Sequence, residues 1–378
     1  MTSHTSKLTA ISDGTLLDTR AIRPIVEPVA RKRLVKAKAA YTTRRVPINE
    51  ASYLISGDVI PKSGDLVLAR VDRLGQHCRI ELGNGRRAPL FPGDEIILCY
   101  GNRYAPDQFE GEIPDNLGPC HMVAAGGIAA NAISKHAGKK AATRITPIGL
   151  LADVNGRPIN LADSALEPIT PGDEMPMIIA AVGTSMNAGK TTAAAYLIKG
   201  LVNAGLKVGA AKVTGTGAGG DVWLMTDAGA ELVFDFTDAG FASTHRVSLR
   251  ELESIVTTLT AHLQQAGVDV IVMEVADGLF QEETSALLCS PVFRQAVDGI
   301  IFAAADAMGA ATGVNWLYDH DLPVVAVSGK LTASPLTVRE TQGATGLPVM
   351  GLDQLSDPGI SETIRQHLDS HLRSRQVG

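Results

Sequence analysis

Gly183-Thr184, four further residues and then Gly189-Lys190-Thr191 follow the spacing of a loop built to hold a phosphate chain. Glycines let the backbone curl until successive N–H groups converge on one anion, and the start of a following helix adds partial positive charge. The flanks suit this role. An apolar run, PMIIAAVG at 176–183, leads in, and the alanine-rich TTAAAYLIKGLVNAG at 191–205 leads out. In such a loop Gly183, Thr184, Asn187, Ala188, Gly189 and Thr192 surround the phosphates. Lys190 reaches the β and γ oxygens and Thr191 ligates Mg²⁺.

Other residues with chemistry to offer fall at the ends of later apolar runs. KVGAAKVTG at 207–215 ends near Lys212, a second cation that could neutralise a transferring phosphoryl group or an anionic substrate, or else snorkel at the surface. DVIVMEVAD at 269–277 ends in Glu274 and Asp277, and either carboxylate could complete a Mg²⁺ site. Asp221, after TGTGAGG, reads equally as a metal or substrate carboxylate and as a helix N-cap. Ser328-Gly329-Lys330 closes the run LPVVAVSG (322–329) and leaves it, where a nucleotide base would lie. It lacks the Asn-Lys-x-Asp pattern of GTP binding, so ATP is the expected nucleotide.

These positions require a scaffold that gathers strand ends. From 176 onward continuous apolar runs alternate with helical segments such as 249–267, the pattern of a doubly wound, mostly parallel α/β sheet with both faces covered. LPVMGL at 347–352 could add a last strand. Residues 51–143 read as a smaller β-rich, barrel-like domain: GDLVLARVDRL, HCRIELGNGRRAPL and GDEIILCYGNRY alternate between turn signals, and MVAAGGIAANAISKHAGKK at 122–140 reads as a helix. A basic segment, 1–50, precedes it, and its run at 30–45 reads as a solvated helix or arm, with anion binding as the lesser alternative. The Pro-, Gly- and Asn-rich stretch 144–175 reads as a connector to the nucleotide domain at 176–378, with a short hairpin at VNGRPI.

The loop GT-x-x-x-x-GKTT, the Lys212-Val-Thr-Gly run and the Met-Glu-Val-Ala-Asp-Gly strand end together resemble the dethiobiotin synthetase branch of P-loop proteins. That branch includes cobyrinic-acid-type amide synthases and molybdopterin-guanine-dinucleotide accessory proteins. The resemblance spans about 176–352. It implies that Lys190 and Lys212 flank the phosphates of ATP, that Glu274 helps bind Mg²⁺, and that a carboxylate or carbamate is activated. Val213 stands where the synthetase has proline, and the turn Ala276-Asp277-Gly278 holds less glycine than its counterpart. The substrate is left open by both departures.

Composition narrows the partners. The chain has 378 residues and a net charge of −6, yet residues 1–150 hold 21 basic and 14 acidic side chains, leaving 13 and 26 for the rest. Halves of opposite sign suit two domains that attract each other across a small-molecule site. Aromatics at 4% disfavour base stacking, although phosphate contacts alone would not need them, so nucleic acid is the less favoured partner. No apolar stretch reaches the ~20 residues of a membrane span, and four scattered cysteines without a CxxC pair fit a reducing cytoplasm. The expectation is an ATP- and Mg²⁺-dependent, ligase- or kinase-like enzyme, with a homo-oligomer compatible. The alternative is a nucleotide-dependent switch or accessory ATPase whose N-terminal domain binds a protein or nucleic acid.

Overall fold

The computed structural model describes residues 23–172 and 174–377. The first strands in chain order are β1 (Ile25–Pro28), β2 (Lys38–Ala39), β3 (Tyr53–Ser56), β4 (Leu66–Arg73), β5 (Arg79–Glu81) and β6 (Arg87–Pro89). Then come β7 (Glu95–Tyr100), β8 (Phe109–Glu112), β9 (Cys120–Ala124), β10 (Ile128–Lys135) and β11 (Thr143–Ala152). Pairings β11–β4, β4–β7, β7–β10, β10–β9 and β9–β11 close a ring, so this domain is a small barrel. Closure leaves the ring without a free edge. Val67, Ala69, Ile96, Leu98, Met122 and Ile145 fill its inside. The GNG at 83–85 turns the β5–β6 hairpin, as its sequence predicts.

Three expectations are corrected here. Residues 122–140 form no helix: β9 turns at Ala125–Gly127 into β10. Alanines carry no clear period, and Gly126-Gly127, with Gly127 at φ 106°, supplies a turn. The supposed connector is a barrel strand as far as Ala152, because Pro147 lies beside a register irregularity that tolerates its missing N–H. Only beyond it do VNGRPI, which turns back through Asp153 N–H donating to the Arg157 carbonyl, and the stretch to 176 link the domains. The basic run is a solvated helix only over 31–36, where Arg31, Lys32 and Lys36 are exposed, and beyond it the segment packs into the barrel; its first 22 residues lie outside the described ones. Helix α1 (Arg31–Lys36) buries Leu34, β2 pairs with β7, and Tyr41, Thr42 and Thr43 are buried.

The second domain is a six-stranded, wholly parallel sheet in the order β14-β13-β15-β12-β16-β17. Its strands are β12 (Met177–Gly183), β13 (Val208–Lys212), β14 (Leu232–Asp235), β15 (Val270–Glu274), β16 (Gly299–Ala303) and β17 (Val324–Ser328). Helix α2 (Lys190–Asn203) covers one face through Leu197 and Leu201. Helix α4 (Leu249–Gln265) covers the other through Leu252 and Leu259. Burial on both faces is why these strands read as unbroken apolar runs. The exception is β14, a half-buried edge strand whose apolar run is too short to stand out. LPVMGL makes only an isolated parallel bridge, Val327 to Val349, and is not a strand.

The domains dock through charge. Tyr41 Oη donates to Asp235 Oδ2 at 2.7 Å, and Arg44 pairs with Asp235 at 3.2 Å and Asp238 at 2.6 Å. Glu81 accepts from Gly219 N–H and Trp223 Nε1, both at 3.2 Å. Burial, then the neighbouring Asp235 charge, push Asp238 up to about 6 against the pull of Arg44. A carboxyl raised in the folded state contributes stability that is full below its unfolded value and lost as pH rises through about 6. Arg44→Ala should therefore cost about 3–5 kcal/mol near neutrality, because buried Asp235 loses its cation and Asp238 is left with only Arg45, at 3.7 Å. Denaturant titrations from pH 4 to 7 should show that cost smallest at the acid end and growing through pH 6. A loss independent of pH would assign it to packing instead.

Candidate functional site

The first strand, β12, lies inside the sheet between β15 and β16, and the chain leaves it in opposite directions. A crevice opens beyond the strand ends at such a point. Gly183 closes β12, where a Cβ would lie 2.6 Å from the Ala303 carbonyl oxygen and 2.9 Å from Lys190 Cγ. No larger residue fits. Thr184 donates its N–H to that same Ala303 carbonyl at 3.0 Å. Asn187 at φ 64° and Gly189 at φ 109° bend the loop into a concave nest, and α2 begins at Lys190. Ala188 is buried, and its carbonyl accepts from Lys330 N–H at 3.0 Å.

Strand register assembles the charges. Lys212 on β13 pairs with Glu274 on β15, which pairs in turn with Ala181 on β12. Lys190 Nζ donates to the carbonyls of Ser185 at 2.7 Å and Asp277 at 2.6 Å, so it spans the loop. Burial lowers its pKa against the opposing fields of Glu274 and Asp277. Burial also opposes the charge on Lys212, but Asp221 and Glu274 outweigh it and the pKa is raised. Lys212 pairs with Asp221, so it is no snorkelling lysine, and the N-cap of helix α3 (Gly220–Asp227) is Gly219 and not Asp221. Asp277, in left-handed backbone at φ 63°, is buried beside the loop with its pKa raised by burial.

Thr191 Oγ1 donates to Glu274 Oε1 at 2.6 Å, while Glu274 Oε2 is buried with no partner. Glu274 is 2% exposed, and burial followed by the Asp221 charge raises its pKa. A hydroxyl, one carboxylate and an unsatisfied oxygen suit Mg²⁺, which takes few protein ligands and completes its shell with water and phosphate. Among the described residues no group of three or more His, Cys, Asp or Glu side chains forms a metal cage.

Two adjoining cavities share Gly189, Thr192 and Lys330. One, of about 480 Å³, holds Lys190, Thr191, Lys212, Asp221, Glu274 and Asp277. The other, of about 720 Å³, runs between Gly329–Ala333 and Gly351–Gln354. Ser328 does not line it. That side chain is fully buried and donates to the Met350 carbonyl at 2.7 Å, which corrects the expectation that it touches a base. Gly329 and Lys330 line this cavity instead. Residues 351–354, which no local pattern marks as part of a site, reach this cavity only through packing.

The barrel also reaches the site. Loop 101–110 puts Arg103, Asp107 and Gln108 into the 480 Å³ cavity, and Asp107 accepts from Asn187 Nδ2 at 3.1 Å. A third cavity, of about 400 Å³, lies across the loop between Tyr104, His136, Asp107, Met186, Asp277 and Gln281. Cys120 is buried, with its thiol pushed up to about 12, and His121 instead accepts from Ala132 N–H at 3.3 Å.

Residues 178–286 match the family described as molybdopterin guanine dinucleotide synthesis protein B, MobB. With the loop, the parallel sheet and the gathered charges in place, that match decides the class. The chain is a P-loop nucleotide-binding protein. No curated protein matches it. Among solved structures it is similar to the 54 kDa signal recognition particle protein of Aeropyrum pernix K1 in complex with GDP, at 16% identity over 56% of this chain and 52% of that one, TM-score 0.35. This chain thus spans about half the length of that protein. It is also similar to the signal recognition particle receptor FtsY of Elizabethkingia anophelis, at 17% identity over 55% and 70%, TM-score 0.34. A duf1611 family protein of Anabaena variabilis is 12% identical over 53% and 63%, TM-score 0.36. No helix among the described residues of this P-loop protein is long and apolar enough to cross a membrane.

Lys190→Ala should abolish tight Mg·nucleotide binding while leaving the thermal midpoint of the free protein within a few degrees. Its ammonium bonds only to loop carbonyls and is held against a burial penalty. Glu274→Gln should weaken Mg²⁺-dependent binding by about tenfold or more and leave Mg²⁺-independent binding unchanged. Titration with a fluorescent nucleotide, with and without Mg²⁺, reads both.

Proposed function

We propose that this protein is an ATP- and Mg²⁺-dependent enzyme that activates a small carboxylate or carbamate by phosphoryl transfer. The observation that supports this best is the convergence of Lys190, Lys212 and the Thr191–Glu274 pair on one cavity, with a second cavity across the loop. In this reading the loop amides and Lys190 bind the β and γ phosphates, and Thr191 with Glu274 holds Mg²⁺. Held there, Mg²⁺ would offset the negative charge of the phosphate oxygens. Lys212, kept protonated by Asp221, stabilises charge that develops during transfer. The base lies between Lys330 and residues 351–354. The acceptor lies in the 400 Å³ cavity, between barrel residues Tyr104 and His136 and loop residues 184–187.

The MobB match favours a second reading, an accessory nucleotidase or switch whose turnover serves a partner. Phosphate release from ATP and from GTP, measured alone, with a panel of small carboxylates and amines, and with candidate proteins or RNA, separates the two. Turnover raised at least tenfold by one small acid, with ATP preferred, is the expected result. Turnover indifferent to small molecules but raised by a macromolecule would put the switch first, and a preference for GTP would overturn the choice of nucleotide.

A further inference from the structure

We propose that Arg103, carried into the P-loop site by the barrel, contacts the terminal phosphate of the bound nucleotide and stabilises its charge during transfer. This rests on the reading of the site as a nucleoside triphosphate site and adds a group that the P-loop domain does not itself contain.

Arg103 is 6% exposed, yet no carboxylate among the described residues lies within ion-pair distance of it. Its Nη1 faces His77 Nε2 at 3.2 Å, and its Nη2 donates to Gln108 Oε1 at 3.2 Å. Nε is buried with no partner. His77 brings no negative charge. Burial and then the Arg103 field push that imidazole down to about 4, so it is neutral at pH 7. Burial lowers Arg103 itself to about 10, with Asp107 opposing only in part. A guanidinium held in this way is costly unless an anion arrives.

The cavity it lines is the one that holds Lys190, Thr191 and Lys212, so the anion expected there is phosphate. Its carrier is braced. Arg103 and Gly111 exchange backbone hydrogen bonds at 2.8 and 2.9 Å, and Asp107 ties the loop to Asn187 in the P-loop. Domain docking thus sets the position of this cation. In the step served, the bond from the terminal phosphorus to its bridging oxygen breaks and the electron pair stays on the departing diphosphate. The acceptor carboxylate oxygen forms the new P–O bond, giving an acyl phosphate. With water as acceptor, inorganic phosphate forms and one proton passes to solvent. Arg103 acts on the charge spread over the transferring oxygens, and Asp107 holds the loop that positions it.

The test uses the full chain with Arg103→Met and Arg103→Lys, ATP, ADP, and ADP with aluminium fluoride as a mimic of the transferring group. Turnover should fall by about 10³-fold in Arg103→Met, with ATP affinity changed less than about threefold and affinity for the fluoride complex reduced in step with turnover. Arg103→Lys should restore little, because an ammonium lacks the guanidinium fork. The nucleotide-free Arg103→Met protein should melt at or above the parent temperature, since an unpaired buried cation has gone. It should also lose the extra thermal protection that a non-hydrolysable triphosphate gives over ADP. This last readout needs no turnover. Variants with parental turnover and parental triphosphate protection would overturn the proposal, as would an Arg103→Met protein that melts lower and keeps that protection. A parent chain that binds no nucleotide at all would instead overturn the reading on which the proposal rests.

Discussion

Glu274 ends β15 with one oxygen on Thr191 and the other buried without a partner, and it lies in the fields of both Lys190 and Lys212. A carboxylate so placed is tolerable only because cations surround it, and the cations are tolerable only because it and Asp221 are there. The parallel register imposes this mutual dependence. Lys212 and Glu274 are neighbours at adjacent strand ends, and Ala181 beside them sets the distance to the P-loop. A one-residue slip in either pairing would turn a charged side chain to the other face of the sheet. The apolar cores on the two faces therefore do more than stabilise: they hold the register that concentrates charge at one end of the sheet.

The barrel depends on the same end of the sheet. Asp235 closes β14, next to Lys212 in register, and receives Tyr41 and Arg44 from the barrel's leading segment. On the far side of the crevice, Asp107 reaches Asn187 and Arg246 pairs with Glu112. Docking thus holds the barrel at points on either side of the P-loop crevice, with loop 101–110 over it. Part of the opposite charge of the two halves goes into this contact: Arg44 and Arg45 pair with Asp235 and Asp238, whose burial keeps screening by salt weak.

Much of the P-loop half was legible in the chain. A phosphate loop needs a particular backbone, and that backbone needs particular glycines, so residues 183–191 announce themselves without any neighbour. Apolar runs ending in Lys212 and Glu274 are local patterns too, since a strand buried on both faces has few alternatives. The barrel was less legible. Alanine and glycine in 122–140 fit helix and strand alike, and the pairing of β9 with both β10 and β11, which decided the matter, is a contact between distant segments. Pro147 argued for a connector, but a local irregularity in β11 absorbed it.

Serine 328 and arginine 103 mark the boundary most clearly. Ser328 stands where a base-contacting residue would be expected, but packing turned its hydroxyl to Met350. Arg103 was one polar residue among several in a loop, and only the docking of two domains placed it in the cavity that Lys190 also lines. Sequence by itself determined which backbone could wrap a phosphate and which strands would be buried, because those follow from local conformational limits and from hydrophobicity. Tertiary structure alone decided which charges meet, because a charge is stabilised or penalised by groups that lie close in space, wherever they stand along the chain.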